Sequence, residues 1–342
     1  MATTNYTIPL GSWVLVTGAN GYIASQVIDA FLAKGYKVRG TVRSEKPWMN
    51  EYFQATYGPG TFETVIVPRL EDEGALDGVV QDVAGIAHVA SDLSYRSDPN
   101  SVIPGVVAQT MNVLSTAERV SSIKRVVLCS SVTAAFPAID DAVGLEDKTV
   151  DENSWNDAAV TAAWDSNTPA DLKPSVVYTA AKVEAERSAW KWYEEHKPHF
   201  VLNTVLPNMN FGKIIFPEHQ GSSMRVTRML LNGNDLAIGL IAAQWYVDVV
   251  DTARLHVIGL LDPNVKSERL FACAGKFKWD DVVQILRKFQ PDNHNIPDAV
   301  KDAIKEKFEI VPSGRAEQLL RDFYGRPGWT TLEESLKRGI EN

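Results

Sequence analysis

Short apolar runs alternate along the chain with longer stretches whose apolar residues recur at helical spacing. The runs are Trp13–Thr17, Tyr36–Val42, Phe62–Val67, Gly85–Ala90, Arg125–Ser130 and Phe200–Leu206; the helical patterns include Ser25–Lys34 and Ser175–His196. Strands rich in Val, Ile and Leu that alternate with helices build βαβ units and a sheet buried on both faces. The fold class this predicts is α/β: a doubly wound parallel sheet of Rossmann type with a second, smaller C-terminal lobe. The alternation fades after Pro207. Residues 1–206 are therefore expected to form the Rossmann domain and 207–342 mainly the second lobe, with 244–261 returning to the sheet. Irregular segments at Asp140–Pro174, Gln220–Asn234 and Pro291–Pro312 are too long for tight connections and are expected to wall a pocket beside the sheet.

Composition narrows the partners. The 342 residues are 45% hydrophobic and 23% charged, as in an ordinary globular protein, and no apolar stretch is long enough to span a bilayer. The start of the chain has neither the basic flank nor the apolar core of a secretion signal, so a cytoplasmic location and an idle Asn5-Tyr6-Thr7 sequon are expected. A net charge of −9 argues against a general nucleic-acid surface and for a small-molecule partner. Cys129 and Cys273 stand alone as core residues, and the six histidines lack metal-ligand spacing, so no metal site is expected. The chain is expected to act as a monomer or homodimer.

Thr17-Gly18-Ala19-Asn20-Gly21-Tyr22-Ile23-Ala24 falls directly between the first strand and the first helix. Glycines there allow a tight turn and close approach of a pyrophosphate to the helix N-terminus, which assigns Gly18, Asn20, Gly21, Tyr22 and Ile23 to dinucleotide binding; any β-to-α turn can also use glycine. An NAD site would carry Asp or Glu about 20 residues further on, to accept from the ribose hydroxyl. Here that place reads Thr41-Val42-Arg43. Arg43, helped by Arg39, Ser44 and Lys46, suits a 2′-phosphate and favours NADP(H), the alternative being plain surface charge.

Tyr178 and Lys182 lie four apart in a helical stretch and so share one face, beside a packing stripe of Ala181, Ala185 and Ala189. A nearby ammonium stabilises a phenolate, which makes the pair suited to proton transfer, although YxxxK alone is a common spacing. Val126 to Ser131 is an apolar strand ending in two hydroxyls. Ligands of doubly wound sheets bind outside the carboxyl ends of the strands, where the Ser131 hydroxyl can hold a substrate carbonyl oxygen; serine is equally an ordinary turn residue.

Together TGANGYIA, the strand-end serines and YTAAK resemble the extended short-chain dehydrogenase/reductases over nearly the whole chain. VRGTVRS, the Asp151–Trp155 segment and Arg326-Pro327-Gly328-Trp329 are similar to carbonyl reductases of the aldehyde reductase II type, relatives of dihydroflavonol reductases. The resemblance implies Tyr178 as general acid, Lys182 on the nicotinamide ribose, Ser131 on the carbonyl oxygen and Asn112 in a water-linked proton relay. It extends the cofactor site to Ala90, Ser91, Pro207 and Asn208. Family members commonly carry an acidic residue after the third strand to meet the adenine, whereas this chain reads Pro68-Arg69-Leu70. Asp92, Val132, Thr133, Phe136, Asn208, Gln244 and Trp245 are expected to line an apolar pocket for a carbonyl substrate. The rivals are a sugar-nucleotide epimerase or dehydratase of the same family and a non-catalytic NADP-binding redox sensor.

Overall fold

A computed structural model of the chain describes residues 6–136, 149–216, 218, 221–298 and 308–341. In chain order the first half runs β1 (Trp13–Thr17), α1 (Tyr22–Ala33), β2 (Lys37–Val42), α2 (Pro47–Tyr57), β3 (Phe62–Ile66), β4 (Val83–His88), α3 (Pro99–Arg119), β5 (Arg125–Cys129), β6 (Thr149–Val150), α4 (Asp157–Trp164) and α5 (Lys173–His196). The second half runs β7 (Val201–Pro207), β8 (Met209–Phe211), α6 (Ser222–Met229), α7 (Leu236–Leu240), β9 (Gln244–Asp248), α8 (Val249–Leu261), β10 (Arg269–Ala272), β11 (Gly275–Phe277), α9 (Trp279–Phe289), β12 (Glu309–Ile310), α10 (Ser313–Tyr324) and α11 (Leu332–Ile340).

Seven parallel strands form the main sheet in the order β10-β7-β5-β4-β1-β2-β3. Alternate side chains serve its two faces. Val14 and Val16 join the cluster built with α1, α8 and α10, and Leu15 joins the one under α3 and α5. Both faces are thus apolar, which is why the strands read as continuous hydrophobic runs. The chain goes outward from β1 to β2 and β3, then crosses back to β4. That reversal leaves a crevice between the carboxyl ends of β1 and β4, the switch point at which such sheets bind ligands.

The second half departs from the simple division at Pro207. Strand β9 pairs with β8 and β11 in a separate three-stranded sheet, α8 lies on the main sheet, and β10 supplies its seventh strand. Of 244–261, then, the helical part covers the sheet and the strand part does not join it. Two segments read as irregular contain helices. Asn156 caps α4 by accepting from Ala159 N at 3.0 Å, and α6 buries Met224 against the second lobe. Residues 140–148, 220 and 299–307 of the segments read as irregular, like Asn5 and His219, lie outside the described residues. Among the described residues no helix is long and apolar enough to cross a membrane.

Candidate active site

The turn after β1 is built to bring backbone close to a ligand. Gly18 has φ +67°, and a Cβ on it would stand 3.0 Å from Ala90 Cα, across the switch-point crevice. Thr41 on β2 fixes the turn: its hydroxyl accepts from Gly18 N at 3.1 Å and its carbonyl from Ala19 N at 2.9 Å. No side chain caps α1 at Gly21, so the first-turn amides remain available to an anion. Asn20 sits within the turn, and Ile23 packs against the clusters of both lobes. These features fit a dinucleotide pyrophosphate. At the end of β2, Arg43 is exposed and Lys46 donates to Ser44 Oγ at 2.8 Å, grouping the three residues beside the turn.

Thr17 orders the far wall. Its hydroxyl accepts from Val89 N at 3.0 Å and Ala90 N at 3.1 Å, so its proton goes to His88 Nδ1 at 2.8 Å. His88 is therefore the Nε2–H tautomer, and burial together with the Lys182 charge lowers its pKa to about 3.

The catalytic candidates converge where β5 meets α5. Lys182 Nζ donates to Cys129 O at 3.1 Å, and the Tyr178 phenol neighbours the Ser131 side chain, whose Oγ accepts from Thr133 Oγ1 at 3.0 Å. Ala181, Ala185 and Ala189 are all buried, the first two with Val102, Ile103 and Val106 of α3; this packing sets the height of α5 over the strand end. Burial pushes the Tyr178 phenol up to about 12, against the neighbouring Ser131 hydroxyl, and lowers the Lys182 ammonium, against Cys129 and Glu186. A phenol so raised is protonated at neutral pH, as a proton donor must be. Burial also raises the Cys129 thiol, which keeps it inert. Lys182 shares one cavity with His88, Ala90, Ser91, Cys129 and Ser130. Beyond β7, Asn208 accepts from Met209 N while its buried Nδ2 has no partner, a donor left for a ligand after Pro207.

Several expected residues are used otherwise. Arg39 is turned to Glu63 Oε1 at 2.6 Å and to the carbonyls of Val79 and Gln81, so it does not join Arg43. Asn112 gives its amide protons to Leu70 O at 2.9 Å and Asp72 O at 2.6 Å, and so holds the loop after β3 in place. Arg69 in that loop pairs with Asp72 and Glu71. The Tyr22 ring is buried in the second-lobe cluster and its hydroxyl donates to Gly212 O at 2.8 Å, while Gln26 Nε2 donates to Lys213 O at 2.7 Å; only the Tyr22 backbone faces the turn. Asp92 is spent on Arg96 and Ser94 N. Val132, Phe136 and Trp245 come together in one buried cluster beside β7 and β10, and Gln244 adjoins it on β9. Tyr95, the end of the Asp92–Tyr95 stretch expected at the pocket, lays its ring on Tyr178; unforeseen in the sequence was Glu186, one turn beyond Lys182.

A switch-point dinucleotide turn with Ser, Tyr and Lys gathered at the next strand end defines an oxidoreductase of the extended short-chain dehydrogenase/reductase class. Residues 14–271 match the NAD dependent epimerase/dehydratase family, and the chain belongs to it. It is 43% identical over 340 residues to the ketoreductase nvfG of Aspergillus novofumigatus, covering 99% of each chain. To aldehyde reductase 2 of Sporidiobolus salmonicolor it is 39% identical, covering 97% of this chain and 96% of that one. Among solved structures, the yeast methylglyoxal/isovaleraldehyde reductase Gre2 complexed with NADPH superposes with a TM-score of 0.79 at 26% identity, over 96% of both chains.

Proposed function

We propose that the protein is an NADPH-dependent carbonyl reductase that converts a ketone or aldehyde to the alcohol. The observation that carries this reading is the convergence of Ser131, at the end of β5, with Tyr178 and Lys182 on one face of α5, Lys182 being held to Cys129 O. When bound, the reduced cofactor supplies a hydride to the carbonyl carbon. Ser131 orients the carbonyl oxygen, and Tyr178 gives its phenolic proton to that oxygen as negative charge develops. Lys182, one turn along the same helical face, would stabilise the phenolate left behind and bind a ribose hydroxyl. Gly18, Asn20, Gly21, Ile23 and the Tyr22 backbone would hold the pyrophosphate, with Ala90, Ser91, Pro207 and Asn208 lining the path to the nicotinamide. Arg43, Ser44 and Lys46 would take the 2′-phosphate, and no carboxylate stands among them at the end of β2 except the outward Glu45. Residues 1–206 serve mainly the cofactor and 207–342 mainly the substrate, with Val132, Thr133, Phe136, Gln244 and Trp245 at the substrate end.

The ketoreductase and the aldehyde reductase among the relatives support this chemistry over epimerisation. The deciding experiment follows the absorbance of reduced nicotinamide with purified protein and a panel of aryl and alkyl ketones and aldehydes. Oxidation of NADPH dependent on the carbonyl compound is the expected result. Tight retention of NAD with no net oxidation would favour an epimerase, and cofactor binding without turnover of any carbonyl compound would favour a sensor.

A further inference from the structure

Glu186 is 2% exposed and lies one helical turn beyond Lys182 on α5. Its carboxylate gathers donors from three directions. Oε2 accepts from Ser130 Oγ at 2.7 Å and Arg269 Nη2 at 3.2 Å; Oε1 accepts from Thr204 Oγ1 at 2.8 Å, Arg269 Nε at 2.9 Å and Trp190 Nε1 at 3.3 Å. Arg269 also gives Nη1 to the carbonyls of Glu152 and Ser154, both at 2.8 Å, and lies over the Trp155 ring at 4.1 Å. A single carboxylate thus joins the strand bearing Ser131, the helix bearing Tyr178 and Lys182, and the segment at 152–155.

A buried ion pair is a weak source of stability, because the desolvation of both charges offsets their attraction. Its placement here gives it another use. Lys182 and Glu186 line the same cavity. The titratable groups facing Lys182 are Tyr178 and Glu186 from its own helix, Cys129 from β5, His88 from β4 and His256 from α8, with Arg269 of β10 behind Glu186. Burial keeps the thiol, the phenol and both imidazoles uncharged at neutral pH. Of these groups Glu186 alone carries the charge opposite to Lys182.

We propose that Glu186 is a positioning residue for carbonyl reduction: it holds Lys182 as an ammonium and fixes the Ser130–Ser131 strand end against the catalytic helix. This deepens the reductase reading and rests on it for the task given to Lys182. Without a carboxylate in this place, Lys182 and Arg269 would be two buried cations with no counter-charge, and Lys182, the one able to lose its proton, would do so.

The test reads Lys182 directly. Protein labelled with 13C at lysine Cε is titrated by NMR, with the Lys182 signal assigned from its loss in Lys182→Ala. In the wild type Lys182 is expected to be charged at neutral pH. Glu186→Gln, which keeps the size and most hydrogen bonds, should lower its midpoint by about one pH unit or more, Glu186→Asp should restore most of the difference, and Arg269→Gln should move the midpoint upward. The alkaline limb of the kcat/KM profile for ketone reduction should fall with the midpoint in Glu186→Gln. An unchanged Lys182 midpoint in Glu186→Gln overturns the proposal, and so does an uncharged Lys182 in the wild type at neutral pH. Should Glu186→Gln fail to fold, the wild-type midpoint and Arg269→Gln decide the matter. If the midpoints move as expected but no carbonyl compound is reduced, the reductase reading falls and the charge-holding role stands; if reduction proceeds and the midpoints stay, only this inference falls.

Discussion

The ring of Tyr95 lies on the ring of Tyr178, with centroids 5.2 Å apart and planes inclined by 33°. Tyr95 has φ +50°, a left-handed conformation that costs roughly 1–2 kcal/mol for a residue other than glycine. The loop holds it there through Arg96, which binds Asp92 Oδ2 at 2.7 Å and Ser101 O at 3.0 Å. An aromatic side chain that is 49% exposed, strained and laid on the proposed proton donor is placed to meet the substrate. An aromatic pair contributes about 0.5–1.5 kcal/mol, so Tyr95→Ala should lower kcat/KM for aryl ketones by ~2–10-fold, while short alkyl ketones are less affected and Tyr95→Phe is close to wild type. Steady-state kinetics on both substrate classes checks this; equal losses for the two classes would detach the ring from substrate selection.

Tyr178→Phe keeps the ring and its stacking but removes the hydroxyl that meets Ser131. General acid catalysis typically contributes ~10²–10⁴-fold, so ketone reduction should fall by that order while NADPH affinity changes little. Lys182→Ala should reduce turnover and cofactor affinity together. Kinetics beside fluorescence titration of NADPH separates the two, with circular dichroism to verify the fold. Near-normal reduction by the Phe variant would remove Tyr178 from the mechanism.

Arg43 stands exposed at the end of β2, next to Ser44 and Lys46. A charge-assisted hydrogen bond contributes roughly 1.5–3 kcal/mol, which corresponds to ~10–100-fold in affinity. Arg43→Ala should therefore weaken NADPH by that factor and leave NADH nearly unchanged. Parallel titrations with the two cofactors give the answer, and equal weakening of both would contradict the assignment.

His256 is fully buried, gives Nδ1–H to Thr252 O at 2.8 Å and has no partner at Nε2. Burial lowers its pKa to about 4, so in the fold it stays neutral where an unfolded chain takes up a proton. Between those two pKa values the unfolded state binds more protons, and stability must fall as the pH falls. Moving from about pH 6.5 to about pH 5 should cost about 1.5 kcal/mol from this residue alone, the slope approaching 1.36 kcal/mol per unit only below the unfolded pKa. Urea unfolding at both pH values should show His256→Asn less acid-sensitive than wild type. His88, lowered to about 3, adds to the same slope in both proteins.

Much of this architecture is legible in the residues. Strands buried on both faces leave continuous apolar runs, and β1 to β5 and β7 fall within a residue or two of those runs. Tyr178 and Lys182 were legible because helical spacing fixes a shared face whatever the surroundings. Arg39 was misplaced for a geometric reason: four residues of extended strand span ~13 Å, so it stands about that far short of Arg43 and the ligand crevice. The grip of Asn112 on the loop after β3 was hidden because helical position does not tell which loop a side chain will meet. Glu186 was hidden in the other direction. A glutamate in a helix ordinarily belongs to a solvated face, and its sequence signal, a third polar residue in the four-residue row after Tyr178 and Lys182, acquires meaning only once Arg269 arrives from a strand far along the chain.

The bond from Tyr22 to Gly212 and that from Gln26 to Lys213 bear on how such enzymes can be recombined. The first helix of the cofactor site is stitched into the opposite lobe, with the Tyr22 ring packed so closely that a Cβ on Gly221 would stand 3.0 Å from it. A substrate lobe transplanted from a relative must therefore arrive with a seat for this tyrosine and a carbonyl for this glutamine, or the graft will open the glycine turn it was meant to serve. Interchangeable halves in this family are halves that agree on helix α1.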